Sequence, residues 1–306
     1  MRNDKIELNP NQIVLVIGGR GFIGRHIVEQ LENLGACVVV GSRANRTQLE
    51  VGSRQVRLHD IQSVDDCKAV LKEVDIVINA VGILRQRFRE SYEQVHHLAV
   101  SYLATACAKK GIRFVNISAL GLTNPVKSRF LSSKRAGELA IQKAQGDWYI
   151  CRPSLVDGDG GYGAQWFRRV AKWPIHFAPA NANSQLAPIN VNDLGEAVAK
   201  IALSTNHNAT NAERIVELGG DRRMTVLDYL RALNNDHAPP NLKVPAWLAR
   251  LFSHIFDLLH LTPFSFGHYE LLKFDNVPSI NRTRTLLGRH CRDFGETYHA
   301  NEGVLI

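Results

Sequence analysis

The chain has 306 residues, 45% hydrophobic and 22% charged, a balance typical of a folded globular protein and not of a disordered one. Its net charge of +8 comes from Lys and Arg scattered along the chain without a dense basic block, which argues against nucleic acid as a partner. The five cysteines form no C-x-x-C pair and the twelve histidines show no metal-ligand spacing, so we expect no metal site.

The first predicted elements are an apolar strand over 13–17 and a helix that Gly35 ends, joined by a glycine-rich turn. Gly18 and Gly21 permit a tight turn and let backbone N–H groups approach a pyrophosphate, and Gly24 lets the helix pack closely on the strand. The helix N-terminus adds partial positive charge. The pattern predicts a dinucleotide phosphate site rather than an ordinary turn, formed by Gly18, Gly19, Arg20, Gly21, Phe22, Ile23 and Gly24.

Further strands are predicted over 36–41, 55–58, 74–79, 113–118 and 148–151, with helices between them. Two of these helices begin with capping-box patterns, Ser63 with Asp66 and Ser91 with Gln94. Alternation of strand and helix at this rhythm predicts an α/β fold, a Rossmann-like doubly wound parallel sheet.

Beyond residue 152 the rhythm breaks, and a smaller, interleaved C-terminal lobe is expected. We predict a nucleotide-binding domain over 10–152 plus about 188–205, and a substrate or partner lobe over 153–187 plus 206–306. Within these ranges we expect a helix over 194–203, a strand over 215–218 and a helix capped by Thr225. An apolar stripe at helical spacing runs from Pro245 to His260. It is either part of the hydrophobic core or part of a surface, over 245–266, that contacts a membrane or a partner subunit.

The end of the second strand bears on the choice of cofactor. It reads Ser42-Arg43, with Arg46 close behind and no Asp or Glu at that point. A carboxylate there would accept the ribose 2′-OH of NAD, whereas a guanidinium pairs with the 2′-phosphate of NADP. We therefore expect NADP(H) in preference to NAD(H), the alternative being that Arg43 is a solvated loop residue.

Two later strand ends complete the expected cofactor site. Asp60, followed by Ile61, either contacts the adenine or caps the next turn. Ligands gather at the carboxyl ends of parallel strands, so the end of the fourth strand should lie under the ribose and nicotinamide. Its residues are Asn79, Ala80, Val81 and Gly82.

These motifs cover most of the chain, and together they resemble the extended, atypical branch of the short-chain dehydrogenase/reductase superfamily, the NAD-dependent epimerase/dehydratase-like proteins. The residues that carry the likeness are Gly18-x-x-Gly21-x-x-Gly24, Asp60, 79–82, Ile117-Ser118-Ala119, Lys134 with Gly137 and Glu138, Arg152-Pro153-Ser154 and 188–193. Within that branch, Val95-His96 and the stretches 114–121 and 132–138 are similar to the nucleotide-binding accessory subunit of respiratory complex I and its bacterial relatives.

The resemblance implies a cofactor contact by Arg152, Pro153 and Ser154, and a reactive end around Lys134 and Ser118. Superfamily reductases use a Tyr-x-x-x-Lys pair, whose tyrosine passes a proton as hydride moves. Here the pair reads Phe130 and Lys134, and a phenylalanine has no proton to give. The partner hydroxyl is Ser118, or is absent if Ala119 is the aligned residue. The sequence places no other hydroxyl at the nicotinamide, the candidates being Ser128, Ser132, Ser133 and Tyr162.

The resemblance thus implies an NAD(P)(H)-binding protein with weak or no redox turnover, whose nucleotide has a structural or regulatory role alongside a respiratory NADH dehydrogenase. The alternative is an active epimerase, dehydratase or reductase on a nucleotide sugar, a sterol or an isoprenoid-like substrate. A third hypothesis is an interaction scaffold that no longer binds the nucleotide. No run approaches the roughly 18 apolar residues that span a bilayer, and the first residues lack a signal pattern. We therefore expect a cytoplasmic protein, peripheral at most to the inner face of the cytoplasmic membrane.

Overall fold

A computed structural model describes residues 7–43, 52–86, 90–125, 128–179, 184–205, 209–235, 237, 239–244 and 274–293. Two of the sequence predictions, the cofactor contact of Arg46 and the apolar stripe within 245–266, lie outside these described residues. In the described part of the chain, no helix combines the length and apolar character that crossing a membrane requires.

The described strands are β1 Ile13–Ile17, β2 Cys37–Ser42, β3 Ser53–Gln55, β4 Ile76–Asn79, β5 Arg113–Ile117, β6 Trp148–Pro153, β7 Val156–Asp157, β8 His176–Pro179, β9 Gln185–Leu186, β10 Ile189–Asn190, β11 Ile215–Leu218, β12 Met224–Thr225 and β13 Asn241–Val244. The α-helices are α1 Phe22–Asn33, α2 Cys67–Val70, α3 Ala99–Lys110, α4 Arg129–Lys143, α5 Tyr162–Ala171, α6 Val191–Leu203, α7 Val226–Ala232 and α8 Thr283–Leu287. A stretch of π-helix, Glu93–Leu98, leads into α3.

Seven of the strands form one parallel sheet in the order β11-β6-β5-β4-β1-β2-β3. Side chains of β1 alternate between its two faces: Val14 and Val16 pack with α1 and α6, and Leu15 and Ile17 pack with α3. Burial on both faces explains why the strands read as continuous apolar runs. The predicted Rossmann-like, doubly wound α/β fold is confirmed.

The region after β2 differs from its prediction. The predicted strand over 55–58 is instead the short edge strand β3 followed by a 3₁₀ turn, Leu58–Asp60. Val56 and Leu58 are buried and so produce the alternating pattern, but β3 lies at the edge of the sheet and the chain bends there. The Ser63 and Asp66 side chains do bond to each other, at 2.9 Å between Oγ and Oδ2, yet the regular helix α2 begins only at Cys67.

The second capping pattern also forms in part. The Gln94 N–H donates to Ser91 Oγ at 3.1 Å, as expected. The Gln94 side chain, however, donates to the carbonyl oxygens of Leu58 and Ile61, at 3.2 and 2.7 Å. This residue therefore ties the segment before α3 to the turn after β3.

Outside the main sheet, three two-stranded ribbons pair β7 with β10, β9 with β12 and β8 with β13. The predicted strand over 215–218 is confirmed as β11, and it extends the main sheet beside β6. Thr225 and Asp228 form the expected capping box at α7. The proposed division into a nucleotide-binding domain and a smaller lobe stays a prediction.

Candidate functional site

The carboxyl ends of five neighbouring strands open into one cavity of about 770 Å³. Its lining includes residues at or just after the ends of β1, β2, β4, β5 and β6, namely Gly18, Ser42, Ala80, Ser118 and Ser154. In doubly wound sheets, ligands bind in the crevice outside the carboxyl ends of the strands. This cavity is therefore the candidate site.

The glycine-rich turn forms the wall between β1 and α1. Gly18 has φ of +81°, a backbone conformation that glycine adopts without strain, and its N–H donates to Gly41 O at 3.0 Å. A Cβ on Gly24 would collide with the carbonyl oxygen of Gly18, so only glycine lets α1 approach the turn this closely. Gly21 caps α1 without any side-chain hydrogen bond, which leaves the first N–H groups of the helix available to an anion.

The structure separates the seven turn residues that the sequence singled out into two groups. Gly18, Arg20, Gly21, Phe22 and Ile23 line the cavity. Gly19 packs behind the turn, where a Cβ would lie 3.1 Å from Val40 Cγ1, and Gly24 supports the turn from the helix side.

The end of β2 forms the next wall. Ser42 and Arg43 line it, together with His59 and Glu90, and the cofactor contact of the first two stays a prediction. The Arg43 guanidinium pairs with the Glu90 carboxylate at 3.0 Å between Nη1 and Oε1. Asp60 and Ile61 are not lining residues: the Asp60 carboxylate faces His59 at 3.2 Å, and Ile61 is buried in the core. A direct contact of these two residues with the adenine is thus not favoured by their placement.

The loop after β4 is shaped by Asn79 and lined by its successors. Asn79 Nδ2 donates to Asn116 Oδ1 at 2.8 Å, and Asn79 Oδ1 accepts the N–H of Val81 at 3.2 Å. Ala80, Val81 and Gly82 line the cavity, whereas Asn79 is not a lining residue.

His96 connects this loop to helix α4. Its Nε2 accepts the N–H of Ile83 at 3.1 Å, and its Nδ1 lies 3.1 Å from Ser133 Oγ, which in turn donates to Phe130 O at 2.8 Å. Burial, reinforced by the positive charge of Lys134, lowers the pKa of His96 to about 2. The imidazole is therefore neutral and acts as a fixed link, not as a proton-transfer group.

Phe130 stands in the cavity wall near the reactive end predicted from the sequence. Its ring is 8% exposed and meets the rings of Tyr92 and His96 edge to face, with centroids 5.6 and 5.5 Å away. The phenol of Tyr92 donates to Leu84 O at 2.8 Å and is engaged there. Lys134 Nζ lies 5.8 Å from the centroid of the Phe130 ring.

Lys134 and Ser118 present polar groups to the cavity. Burial lowers the pKa of Lys134 to about 8, against a smaller opposing effect of Glu138. A Cβ on Gly82 would lie 3.7 Å from its Nζ, which places the ammonium against the loop after β4. The Ser118 side chain is 6% exposed, and among the described residues its Oγ has no hydrogen-bond partner. Both groups line the cavity, and the glycine turn lies in the same wall, so the residues present fit a dinucleotide.

The comparisons with known proteins agree with this geometry. A family model described as NAD(P)H-binding matches residues 18–167. The chain is 24% identical over 295 residues to the mitochondrial NADH dehydrogenase [ubiquinone] 1 alpha subcomplex subunit 9 of Arabidopsis thaliana, covering 92% of this chain and 72% of the relative. It is 29% identical over 217 residues to the ceramide reductase of Caulobacter vibrioides, covering 69% and 65%. In fold it is similar to the NADPH-dependent quinone oxidoreductase QOR2 of Escherichia coli, with a TM-score of 0.66, 15% identity and coverage of 92% and 96%.

The matched region and these relatives support the predicted resemblance to the extended short-chain dehydrogenase/reductase-like superfamily. The region that matches the NAD(P)H-binding model includes the glycine turn, the ends of β2 and β4, and the Ser118 and Lys134 positions. The predicted likeness to the complex I subunit is confirmed, and the chain spans about two thirds of the length of the relatives quoted, 72% and 65%.

Residues near Lys134 that carry the superfamily resemblance also stabilise the fold, since some of them pack or form ion pairs outside the cavity. Gly137 lets α4 press against the preceding π-helical stretch, since a Cβ there would collide with His96 O. The buried Glu138 pairs with Arg152, at 2.5 Å between Oε2 and Nη2. Arg152, predicted to contact the cofactor, is not among the lining residues, because this ion pair engages its guanidinium. Pro153 and Ser154 do line the cavity.

The other hydroxyls considered from the sequence are placed as follows. Ser128 Oγ caps α4 by accepting the N–H of Leu131, Ser133 is engaged with His96, and Ser132 is exposed and not a lining residue. Tyr162 does line the cavity, with 57% of its surface exposed. Within the described residues no cluster of three or more His, Cys, Asp or Glu is arranged to hold a metal ion.

Sequence reasoning gave no site role to Glu90 or His96. Both come from the segment between β4 and α3, which carries no recognisable local motif for a cofactor contact. Only the folded structure shows that Glu90 contacts Arg43 and that His96 contacts Ile83.

Proposed function

We propose that this protein holds NADP(H) as a structural or regulatory nucleotide, with weak or no redox turnover, in association with a respiratory NADH dehydrogenase. The observation that carries the proposal is Phe130, which lines the cavity where superfamily reductases have the proton-donating tyrosine. The nearby phenol of Tyr92 is bonded to Leu84 O and does not replace it. Loss of a positioned acid/base group costs about 100- to 10,000-fold in rate.

Nucleotide binding does not depend on the missing phenol. The open amides at the start of α1 would hold the pyrophosphate, and the Lys134 ammonium would hold ribose hydroxyls. The bound nucleotide would supply a hydride donor, and Ser118 Oγ would donate a hydrogen bond to an oxygen placed beside it. Of the predicted contacts, we keep those that line the cavity: Gly18, Arg20, Gly21, Phe22, Ile23, Ser42, Arg43, Ala80, Val81, Gly82, Ser118, Lys134, Pro153 and Ser154.

The preference for NADP(H) is part of the proposal. It is supported by Arg43 at the end of β2 and by the lack of an Asp or Glu at 42–46. A guanidinium can pair with the 2′-phosphate through two parallel hydrogen bonds.

The proposed partner and location follow from the relative in Arabidopsis, whose name describes a subunit of NADH dehydrogenase. We place the protein in the cytoplasm, against the inner face of the cytoplasmic membrane, where such a complex would be met. The stripe within 245–266 remains the predicted contact segment.

A thermal-shift titration with NADPH and NADH tests binding. Turnover assays with quinones, UDP-sugars and long-chain ketolipids test whether the protein lacks catalytic activity. At 1,000 times its Kd a nucleotide adds about 4 kcal/mol of stability, which a melting curve resolves readily. We expect stabilisation without turnover. Phe130→Tyr should raise turnover at least tenfold, and Phe167→Tyr, which adds the same hydroxyl elsewhere in the cavity lining, should not.

Two results would contradict the proposal. One is a melting temperature that neither nucleotide raises. The other is robust turnover by the unmodified protein that Phe130→Ala abolishes, since the ring would then take part in the chemistry.

A second candidate function is an active reductase on an apolar carbonyl compound, and the cavity itself favours it over an enzyme for nucleotide sugars. Apolar residues line the same cavity as Phe130, namely Leu84, Leu120, Leu155, Trp166 and Phe167. The similarity to a ceramide reductase points the same way. This candidate predicts NADPH consumption that depends on a long-chain ketolipid and that falls in Tyr162→Phe, because Tyr162 carries a phenol in the lining.

A further inference from the structure

Glu90 lines the cavity beside Arg43 although the two residues are 47 positions apart in the chain. Its side chain is 14% exposed, whereas that of Arg43 is 66% exposed, and the two pair at 3.0 Å. Both residues line the cavity next to Ser42. An acid that the second strand lacks is therefore supplied to the same place by a different loop.

We propose that Glu90 is a specificity-determining residue that competes with the 2′-phosphate of NADP(H) for Arg43 and accepts the 2′-OH of NAD(H). The proposal rests on the proposed nucleotide binding and refines its cofactor preference. With Glu90 in place, the affinity for NADP(H) should exceed that for NAD(H) by a smaller factor than Arg43 alone would produce.

The position of the Glu90 carboxylate is set by its surroundings. Gln94, four residues further on, is bonded to the carbonyl oxygens of Leu58 and Ile61 and so holds this segment against the turn after β3. On the other side, Arg57 Nε donates to Arg43 O at 3.2 Å and anchors the backbone at the end of β2. The exposed guanidinium of Arg43 is thus the part free to turn towards a ligand.

The balance of charges gives the direction of the effect. The Arg43 side chain is exposed, so its guanidinium can turn away from Glu90 towards an incoming phosphate. The displaced carboxylate is mostly buried and remains beside the incoming phosphate, and like charges at short distance repel. A neutral 2′-OH, by contrast, can donate a hydrogen bond to the carboxylate, as in NAD-preferring sites.

The test compares Kd values for NADPH and NADH, measured by nucleotide fluorescence titration, in the unmodified protein and in Glu90→Gln. We expect the variant to bind NADPH about tenfold more tightly and NADH about threefold more weakly. The matched control is Glu93→Gln, which removes a glutamate from the same segment that pairs with His97 and is not a lining residue. Its ratio of Kd values should stay within twofold of the unmodified protein.

A second variant tests the pair from its exposed side, where folding is least at risk. Arg43→Gln should weaken NADPH binding about tenfold and change NADH binding less than twofold. The inference is overturned if Glu90→Gln folds and leaves the NADPH/NADH ratio unchanged, or if Arg43→Gln weakens both nucleotides equally. If the unmodified protein binds neither nucleotide, the proposed function fails as well, whereas binding of both with an unmoved ratio refutes the role of Glu90 alone.

Discussion

Replacing Lys134 by methionine separates ligand binding from the stability of the fold. The ammonium lies beside the Phe130 ring and the cavity, and burial lowers its pKa from 10.5 to about 8. A charged group held in this way costs folding free energy until a ligand satisfies it. Methionine has a similar length and no charge, so the variant should fold more stably when empty and bind nucleotide less tightly.

The magnitude follows from the pKa. Each pKa unit corresponds to about 1.4 kcal/mol, so the drop from 10.5 to about 8 favours the neutral amine by about 3 kcal/mol. This is an upper limit, because part of Lys134 is in contact with water. Lys134→Met should therefore raise the free energy of unfolding by about 1–3 kcal/mol near neutral pH.

The sign of the pH dependence is also defined. Between about pH 8 and 10.5 the unfolded chain keeps a proton on Lys134 that the folded chain has lost, so the stability of the unmodified protein rises with pH in this window. Below pH 8 both states are protonated and the full penalty applies. The advantage of Lys134→Met should thus be largest below pH 8 and shrink above it.

Urea denaturation at several pH values, with and without NADPH, measures these effects. The control is Lys143→Met, which removes an exposed lysine from the same helix. It should lower stability slightly, since a cation near a helix C-terminus is favourable, and leave nucleotide binding unchanged. The reasoning is refuted if Lys134→Met is less stable than the unmodified protein at pH 7, or if NADPH stabilises both equally.

Two further substitutions test the architecture around the site. Gly24→Ala should cost about 1–3 kcal/mol and abolish the thermal shift by NADPH, because the new Cβ displaces the carbonyl of Gly18. An unchanged nucleotide Kd would show that this close approach is not needed. Glu138→Gln leaves the charge of Arg152 without its buried partner and should destabilise the fold by about 3–5 kcal/mol, whereas Glu138→Gln combined with Arg152→Met should recover much of that loss. Denaturation curves of the single and double variants decide this, and a double variant no more stable than the single one would count against the ion pair as the cause.

Much of the fold was readable from the sequence because its signals are local. The strand over 13–17, the glycine turn and the helix ended by Gly35 depend on glycine backbone freedom and on hydrophobic spacing within about twenty residues. The strand over 215–218 was also readable, but its place at the edge of the main sheet was not, because strand order depends on pairing between distant segments. The short edge strand β3 was misplaced, since burial of Val56 and Leu58 imitates strand alternation in a chain that has already turned.

The site divides in the same way. By itself the sequence determined that a glycine-rich turn joins the first strand to the first helix, that position 134 carries a lysine and that position 130 carries no phenol, because each is a matter of residue identity at a set spacing. Only the tertiary structure decided that Arg152 is engaged by Glu138, that His96 links the β4 loop to α4, and that Glu90 stands beside Arg43. The physical reason is that charge pairing and burial act over a few ångströms in space. Periodicity along a chain predicts which face of a helix or strand is buried. It does not predict which distant residue contacts that face.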